Sequence, residues 1–196
     1  MRAELARFDA VVAGPGIGDR EETRALVWAL LPDFECGIVL DADALNAIAA
    51  FDDAAGRVPS NAILTPHPGE MARLMKRTVA EVQAHRLEVA QEAAAKFGCT
   101  VVLKGAHTVI AAADGRVRLS SFANPLLATA GSGDVLAGII GGYVAQGVEP
   151  FDAASLGVYM HGMTGELLRE ELGDAGLLAS ELAGRLPRAV RDIRQA

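Results

Sequence analysis

Aromatic side chains make up only 5% of this 196-residue chain, and cysteines number two. Cys36 and Cys99 lack C-x-x-C spacing and precede or open apolar runs, so they fit reduced, buried thiols rather than a disulfide framework. Basic residues are also short: 18 Lys and Arg face 25 Asp and Glu, for a formal charge of −7. That balance argues against a nucleic-acid surface, which carries an excess of positive charge. No apolar run approaches the length that spans a bilayer. The start, Met1-Arg-Ala-Glu-Leu-Ala-Arg-Phe8, has no apolar core of a secretory leader. Linkers, internal repeats and low-complexity tracts are missing too. What remains is a cytoplasmic, globular chain with no membrane and no nucleic acid among its expected partners.

What is present is a rhythm. Hydrophobic residues make up 51% and charged residues 22%, enough for one domain with a proper core. Short apolar runs at 10–13, 37–40, 62–64 and 99–103 alternate with helical patterns at 21–31 and 44–50, a short one through 75, and a longer one at 79–97. Such alternation predicts βαβ units and a parallel sheet. In the 79–97 segment Val82, Val89, Ala93 and Phe97 share one stripe, and Gly98 suits the helix cap. Residues 108–120 read as an antiparallel hairpin turning at Asp114-Gly115, followed by helices over 134–146, 152–172 and 177–193. Each of the four strand runs ends in a loop rich in Gly, Asp, His or Lys. In open α/β sheets the ligand crevice lies at that carboxyl edge, so the unusual residues are predicted to gather at one small-molecule site.

The chemistry sits in five segments. Gly131-Ser132-Gly133-Asp134 leads from a polar turn into a small-residue helix, where backbone N–H groups and the helix dipole cradle an anion. Asp134 then either caps that helix or is a base aimed at a hydroxyl about to meet a phosphate; spacing leaves both readings open. Gly14-Pro-Gly16-Ile-Gly18 either wraps a ligand or is a plain strand-to-helix turn, and it lacks the G-x-G-x-x-G spacing. Asp41 and Asp43, two apart, share a side if the strand continues; they hold hydrated Mg²⁺ or accept hydroxyls, or one of them caps the next helix. In Thr65-Pro-His67-Pro-Gly-Glu70 the two prolines stiffen the backbone around His67, which suits ligand contact. No second histidine stands at metal spacing, so no zinc site is read and no residue is assigned as a direct metal ligand. Lys104-Gly105-Ala106-His107-Thr108 places a cation after a buried strand, for a nucleotide or simply for solvent. His161-Gly162 puts glycine inside a long helix at a cost of about 1 kcal/mol, which points to close packing or ligand approach.

In this order, Gly-Pro-Gly-Ile-Gly (14–18), Leu-Asp-Ala-Asp-Ala-Leu-Asn (40–46), Leu-Thr-Pro-His-Pro-Gly-Glu (64–70), Leu-Lys-Gly-Ala-His-Thr (103–108) and Ala-Gly-Ser-Gly-Asp-Val-Leu-Ala-Gly (130–138) resemble the ADP/ATP-dependent NAD(P)H-hydrate dehydratase family, a branch of the ribokinase-like superfamily. The resemblance implies a three-layer α/β/α fold with a mostly parallel sheet. It implies a lyase of metabolite repair that returns hydrated NADH or NADPH to the normal cofactor with ADP, or ATP, and Mg²⁺. Gly131, Ser132, Gly133 and Asp134 would be catalytic, with Asp134 as the base. Gly16, Gly18, His67 and Asp134 would meet the hydrated substrate; Lys104, Gly105, Ala106, His107, Thr108 and Gly133 would meet the adenine nucleotide. Family members carry earlier strands and helices before the first motif, so residues 1–196 are expected to be a single domain shortened at its N-terminus. A homo-oligomer is expected, with the glycine-rich segment 138–142 permitting close packing. Two other readings are a small-molecule alcohol kinase of the same superfamily and a truncated, non-catalytic nucleotide-binding module.

Overall fold

The computed structural model describes residues 7–33 and 36–195; the opening residues, read above for a leader, lie outside that range. Six strands form one sheet among the described residues: β1 (Ala10–Ala13), β2 (Gly37–Leu40), β3 (Ala62–Leu64), β4 (Thr100–Leu103), β5 (Val109–Ala111) and β6 (Val117–Leu119), paired in that order. β1 to β4 run parallel, and β5 and β6 are antiparallel additions. Helix α1 (Glu21–Leu30) follows β1, α2 (Ala42–Ala49) follows β2 and α3 (Pro68–Met75) follows β3. After α3 come α4 (Val79–Ala84) and α5 (Arg86–Phe97), and after the hairpin α6 (Ser132–Val144), α7 (Pro150–Leu172) and α8 (Ala179–Gln195).

The central strands are apolar throughout because both of their faces are covered. Side chains alternate across a strand. Ile38, Leu40, Leu64, Val101 and Leu103 thus enter one core with residues of α2, α3 and α5, whereas Val39, Ile63, Val102 and Ile110 enter a second core with α6 and α7. The result is the expected three-layer α/β/α arrangement. Burying each such Leu, Ile or Val contributes about 1.5–3 kcal/mol before chain entropy is counted. Leu126, Leu168, Leu177 and Leu182 make a third, smaller core that fastens α8 onto α7.

Two local expectations are corrected. The helix predicted across 79–97 is two helices, broken at His85 (φ −131°, ψ 46°). Its stripe nevertheless holds, since Val82, Val89, Ala93 and Phe97 are all buried. The break lets Arg86 donate through Nη2 to the carbonyls of Leu103 (3.1 Å) and Lys104 (3.3 Å), tying α5 to the end of β4. The hairpin loop has three residues rather than two, because the Ala112 N–H donates to the Arg116 carbonyl and Gly115 takes a left-handed φ of +92°.

Candidate functional site

The carboxyl ends of β2, β3 and β4 open onto a cavity of about 630 Å³, closed on the other side by the 120–131 loop, the start of α6 and the middle of α7. That volume is within the range of small-molecule sites. Gly131, Ser132, Gly133 and Asp134 line it, as do His67, Lys104, Gly105, Ala106 and Thr108. Gly16, Gly18 and His107 do not line it.

The first turn of α6 is built to receive negative charge. Gly131 is the residue before the helix and takes φ +83°, which only a residue without Cβ adopts freely. The Ser132 N–H donates to the Thr129 carbonyl at 3.2 Å, and the Val135 N–H to Gly131 at 3.1 Å, the first bond of the helix. The N–H groups of Gly133 and Asp134 therefore lie between these two and stand at the positive end of the dipole. Asp134 is the third helical residue and makes no side-chain cap; it is exposed at the cavity wall. The capping alternative fails on this geometry, and the carboxylate is free to meet a ligand.

Beneath this turn lies a charged floor. Lys104 Nζ donates to Asp41 Oδ1 at 2.6 Å and lies 3.9 Å from Glu70 Oε2. Its ammonium is also 3.2 Å from where a Cβ on Gly133 would stand, so the cation sits directly under the anion cradle. A solvated lysine is thereby ruled out. Asp41 is 1% and Glu70 5% exposed, so one cation serves two buried carboxylates. Neither Asp41 nor Asp43 caps α2 with its side chain, and the two do not share a side. Ala42 between them adopts φ +46°, which sends Asp41 to Lys104 and Asp43 Oδ2 to the Gly18 N–H at 2.9 Å.

His67 does more than stand at a strand end. Its Nδ1 accepts from the N–H groups of Gly69 (2.9 Å) and Glu70 (3.2 Å), while Glu70 Oε2 accepts from the His67 N–H (2.7 Å). The imidazole is therefore the cap of α3, in a reciprocal capping box. Because Nδ1 accepts, the neutral ring carries its proton on Nε2, 3.3 Å from Glu70 Oε1. The ring is half exposed and lines the cavity while that N–H faces Glu70.

The 104–108 loop is shaped from within. Thr108 Oγ1 donates to the Gly105 carbonyl at 2.9 Å. His107, at φ +52°, donates its backbone N–H to Phe122 and holds Nδ1 3.1 Å from the Ser120 carbonyl. The imidazole thus braces the loop against the 120–122 strip, away from the cavity.

A feature that sequence reading missed is the pair Ser132 and His161. His161 Nε2, on α7, lies 3.1 Å from both Ser132 Oγ and the Ser132 carbonyl. Burial, partly opposed by the bond to the Ser132 carbonyl and reinforced by the Lys104 charge, lowers the His161 pKa to about 4. The ring is neutral at pH 7 and anchors the cradle to α7. Its neighbour Gly162 is explained by packing, since a Cβ there would stand 2.1 Å from Phe122 Cδ2. Only the sequence pair His-Gly within a long helix hinted at either role.

Comparison with known proteins follows the same outline. A family model described as NAD(P)H-hydrate dehydratase matches residues 1–188. The chain is 44% identical over 191 residues to the bifunctional NAD(P)H-hydrate repair enzyme Nnr of Moorella thermoacetica, covering 97% of this chain and 36% of that one. It is 45% identical over 185 residues to the ADP-dependent (S)-NAD(P)H-hydrate dehydratase of Neisseria meningitidis, covering 92% and 62%. The crystal structure of ADP/ATP-dependent NAD(P)H-hydrate dehydratase from Bacillus subtilis, co-crystallised with ATP/Mg²⁺ and soaked with CoA, superimposes with a TM-score of 0.84 at 36% identity, over 97% of this chain and 71% of that one. The chain thus spans between about a third and two thirds of the length of these curated relatives. With its fold, its ordered motifs and this family match in agreement, the chain belongs to the NAD(P)H-hydrate dehydratase family.

Proposed function

We propose that the protein catalyses nucleotide-dependent dehydration of hydrated NADH or NADPH, with ADP as the phosphoryl donor. The observation that carries this reading is the position of Asp134, an uncapped carboxylate beside two helix-end N–H groups with the Lys104 ammonium beneath them. A carboxylate next to a phosphate site serves a hydroxyl that is about to attack phosphorus.

In this reading Asp134 accepts the proton of the ring hydroxyl as the oxygen bonds to the terminal phosphorus of ADP and AMP leaves. The Gly133 and Asp134 amides and Lys104 hold the charge of the transferred group. The ring nitrogen then drives out phosphate, and the carbon next to the former hydroxyl gives up a proton, which restores the double bond. The sum is hydrate plus ADP giving reduced dinucleotide, AMP and phosphate. The half-exposed His67 ring contacts the substrate at the cavity wall, the dinucleotide extends past the cavity to the 14–18 loop, and Lys104, Gly105, Ala106 and Thr108 contact the nucleotide.

Among the described residues no group of three or more His, Cys, Asp or Glu is placed to hold a metal directly. Asp41 and Glu70 nonetheless fit Mg²⁺, which takes one or two carboxylates together with waters and phosphate oxygens. When bound, that ion neutralises nucleotide charge. The choice of ADP draws on the Neisseria relative, which is named ADP-dependent.

The same carboxylate and cradle would also phosphorylate a stable alcohol, and the chain resembles a hydroxyethylthiazole kinase from Pyrococcus horikoshii in fold, at 21% identity. Family membership favours dehydration. Phosphorus NMR of a reaction with hydrated NADPH and ADP separates the two outcomes. Free phosphate supports the dehydratase; a persistent phosphate ester overturns it in favour of a kinase.

A further inference from the structure

Ala42 is one of few non-glycine residues here with a left-handed backbone, at φ +46°. Such a conformation is disfavoured by its Cβ and persists only where the surroundings impose it. Its effect is visible in its two neighbours. Asp41, still extended at φ −132°, turns its carboxylate to Lys104 on the cavity floor. Asp43, already in the first turn of α2, reaches the opposite way and accepts from the Gly18 N–H at 2.9 Å.

Gly18 closes the loop that leaves β1. At its other end Gly14 lies so close to the turn that a Cβ would stand 1.7 Å from the Asp41 carbonyl oxygen. Within the loop the Ile17 N–H donates to Gly14 at 3.3 Å, a long bond, and Thr23 Oγ1 reaches the Ile17 carbonyl only at 3.5 Å. The firm attachments are therefore both to the Asp-Ala-Asp turn: backbone contact at 14 and a carboxylate hydrogen bond at 18. One three-residue turn thus holds the 14–18 loop on one side and the lysine under the phosphate cradle on the other.

We infer that Asp43 is a positioning residue for the dinucleotide: its carboxylate fixes the 14–18 loop at a set distance from Lys104 and the cradle, so that the hydrated ring meets the phosphoryl group. This rests on the function proposed above, in which that loop contacts the substrate. The role differs from general helix support, which an acid in the first turn also gives. A first-turn acid that only supports α2 affects both ligands alike; a clamp on the loop affects the dinucleotide alone.

The test compares wild type, Asp43→Ala and Asp43→Asn in the full chain, by steady-state kinetics with hydrated NADPH and ADP and by amide hydrogen exchange over residues 14–20. Asp43→Ala is expected to raise KM for the hydrate about tenfold, leave KM for ADP within about twofold, and speed exchange in 14–20 about tenfold, as loss of one charge-assisted bond implies. Asp43→Asn keeps an acceptor oxygen and should return both readouts to within about threefold of wild type. Equal rises in both KM values, an Asn variant as impaired as Ala, or unchanged exchange in 14–20 would overturn the inference. If wild type shows no turnover while exchange responds as expected, the functional reading fails and the substrate role falls with it, leaving only the clamp.

Discussion

Lys104 and Asp41, 63 residues apart in the sequence, form an ion pair at 2.6 Å that also shields Glu70. Removing the cation leaves the Asp41 carboxylate buried without its partner, while Glu70 keeps its bond from the His67 N–H; the change costs on the order of 3 kcal/mol. Lys104→Met should lower unfolding free energy by about that amount in urea titrations and also weaken ADP binding. Adding Asp41→Asn to Lys104→Met should recover about 1 kcal/mol or more, because the two residues act as one unit. Strict additivity of the two substitutions would show that the pair is not an energetic unit.

His161 gives the fold a pH dependence of known sign. Its pKa is about 4 in the folded chain against an ordinary 6.5, owing first to burial. The unfolded chain therefore binds more protons between those values, and stability is full above 6.5 and lost as pH falls toward 4. Between pH 7.5 and pH 5 the loss from this residue is about 2 kcal/mol. His161→Gln should flatten that part of the stability profile measured by denaturant titration. A profile unchanged by the substitution would mean that His161 titrates normally.

Asp134 is exposed and carries no helix-capping bond, so Asp134→Asn should keep stability within about 0.5 kcal/mol. The cradle amides and Lys104 are untouched, and ADP affinity measured by calorimetry should hold or rise slightly as a negative charge is removed. Turnover should fall by about a thousandfold, the usual contribution of a positioned base. Near-normal turnover in the variant would remove Asp134 from the mechanism.

The four parallel strands were legible because each is a short apolar run ending in a loop rich in Gly, Asp, His or Lys, and their alternation with helical patterns pointed to a parallel sheet. The cradle was legible from Gly131 to Asp134 because glycine beside a helix start has few other uses. The break at His85 was not, since local propensity favours a continuous helix there and the decision lies with Arg86 bonding carbonyls 17 and 18 residues on. For the same reason the partners of Asp41 and Asp43 were hidden: both depend on the backbone of Ala42, a residue with no turn signature. His67 stood out for its prolines, yet its bonding to the α3 amides emerged only from the geometry. The Ser132–His161 pair joins residues 29 apart on two helices, which periodicity does not connect.

The central claim is that this chain regenerates a reduced dinucleotide from its hydrate at the expense of a nucleotide. Purified protein mixed with hydrated NADH, Mg²⁺ and ADP should restore the absorbance of NADH while releasing one AMP and one phosphate per NADH formed. A folded sample that binds ADP but restores no NADH with either ADP or ATP, or that restores it without nucleotide, would contradict the account.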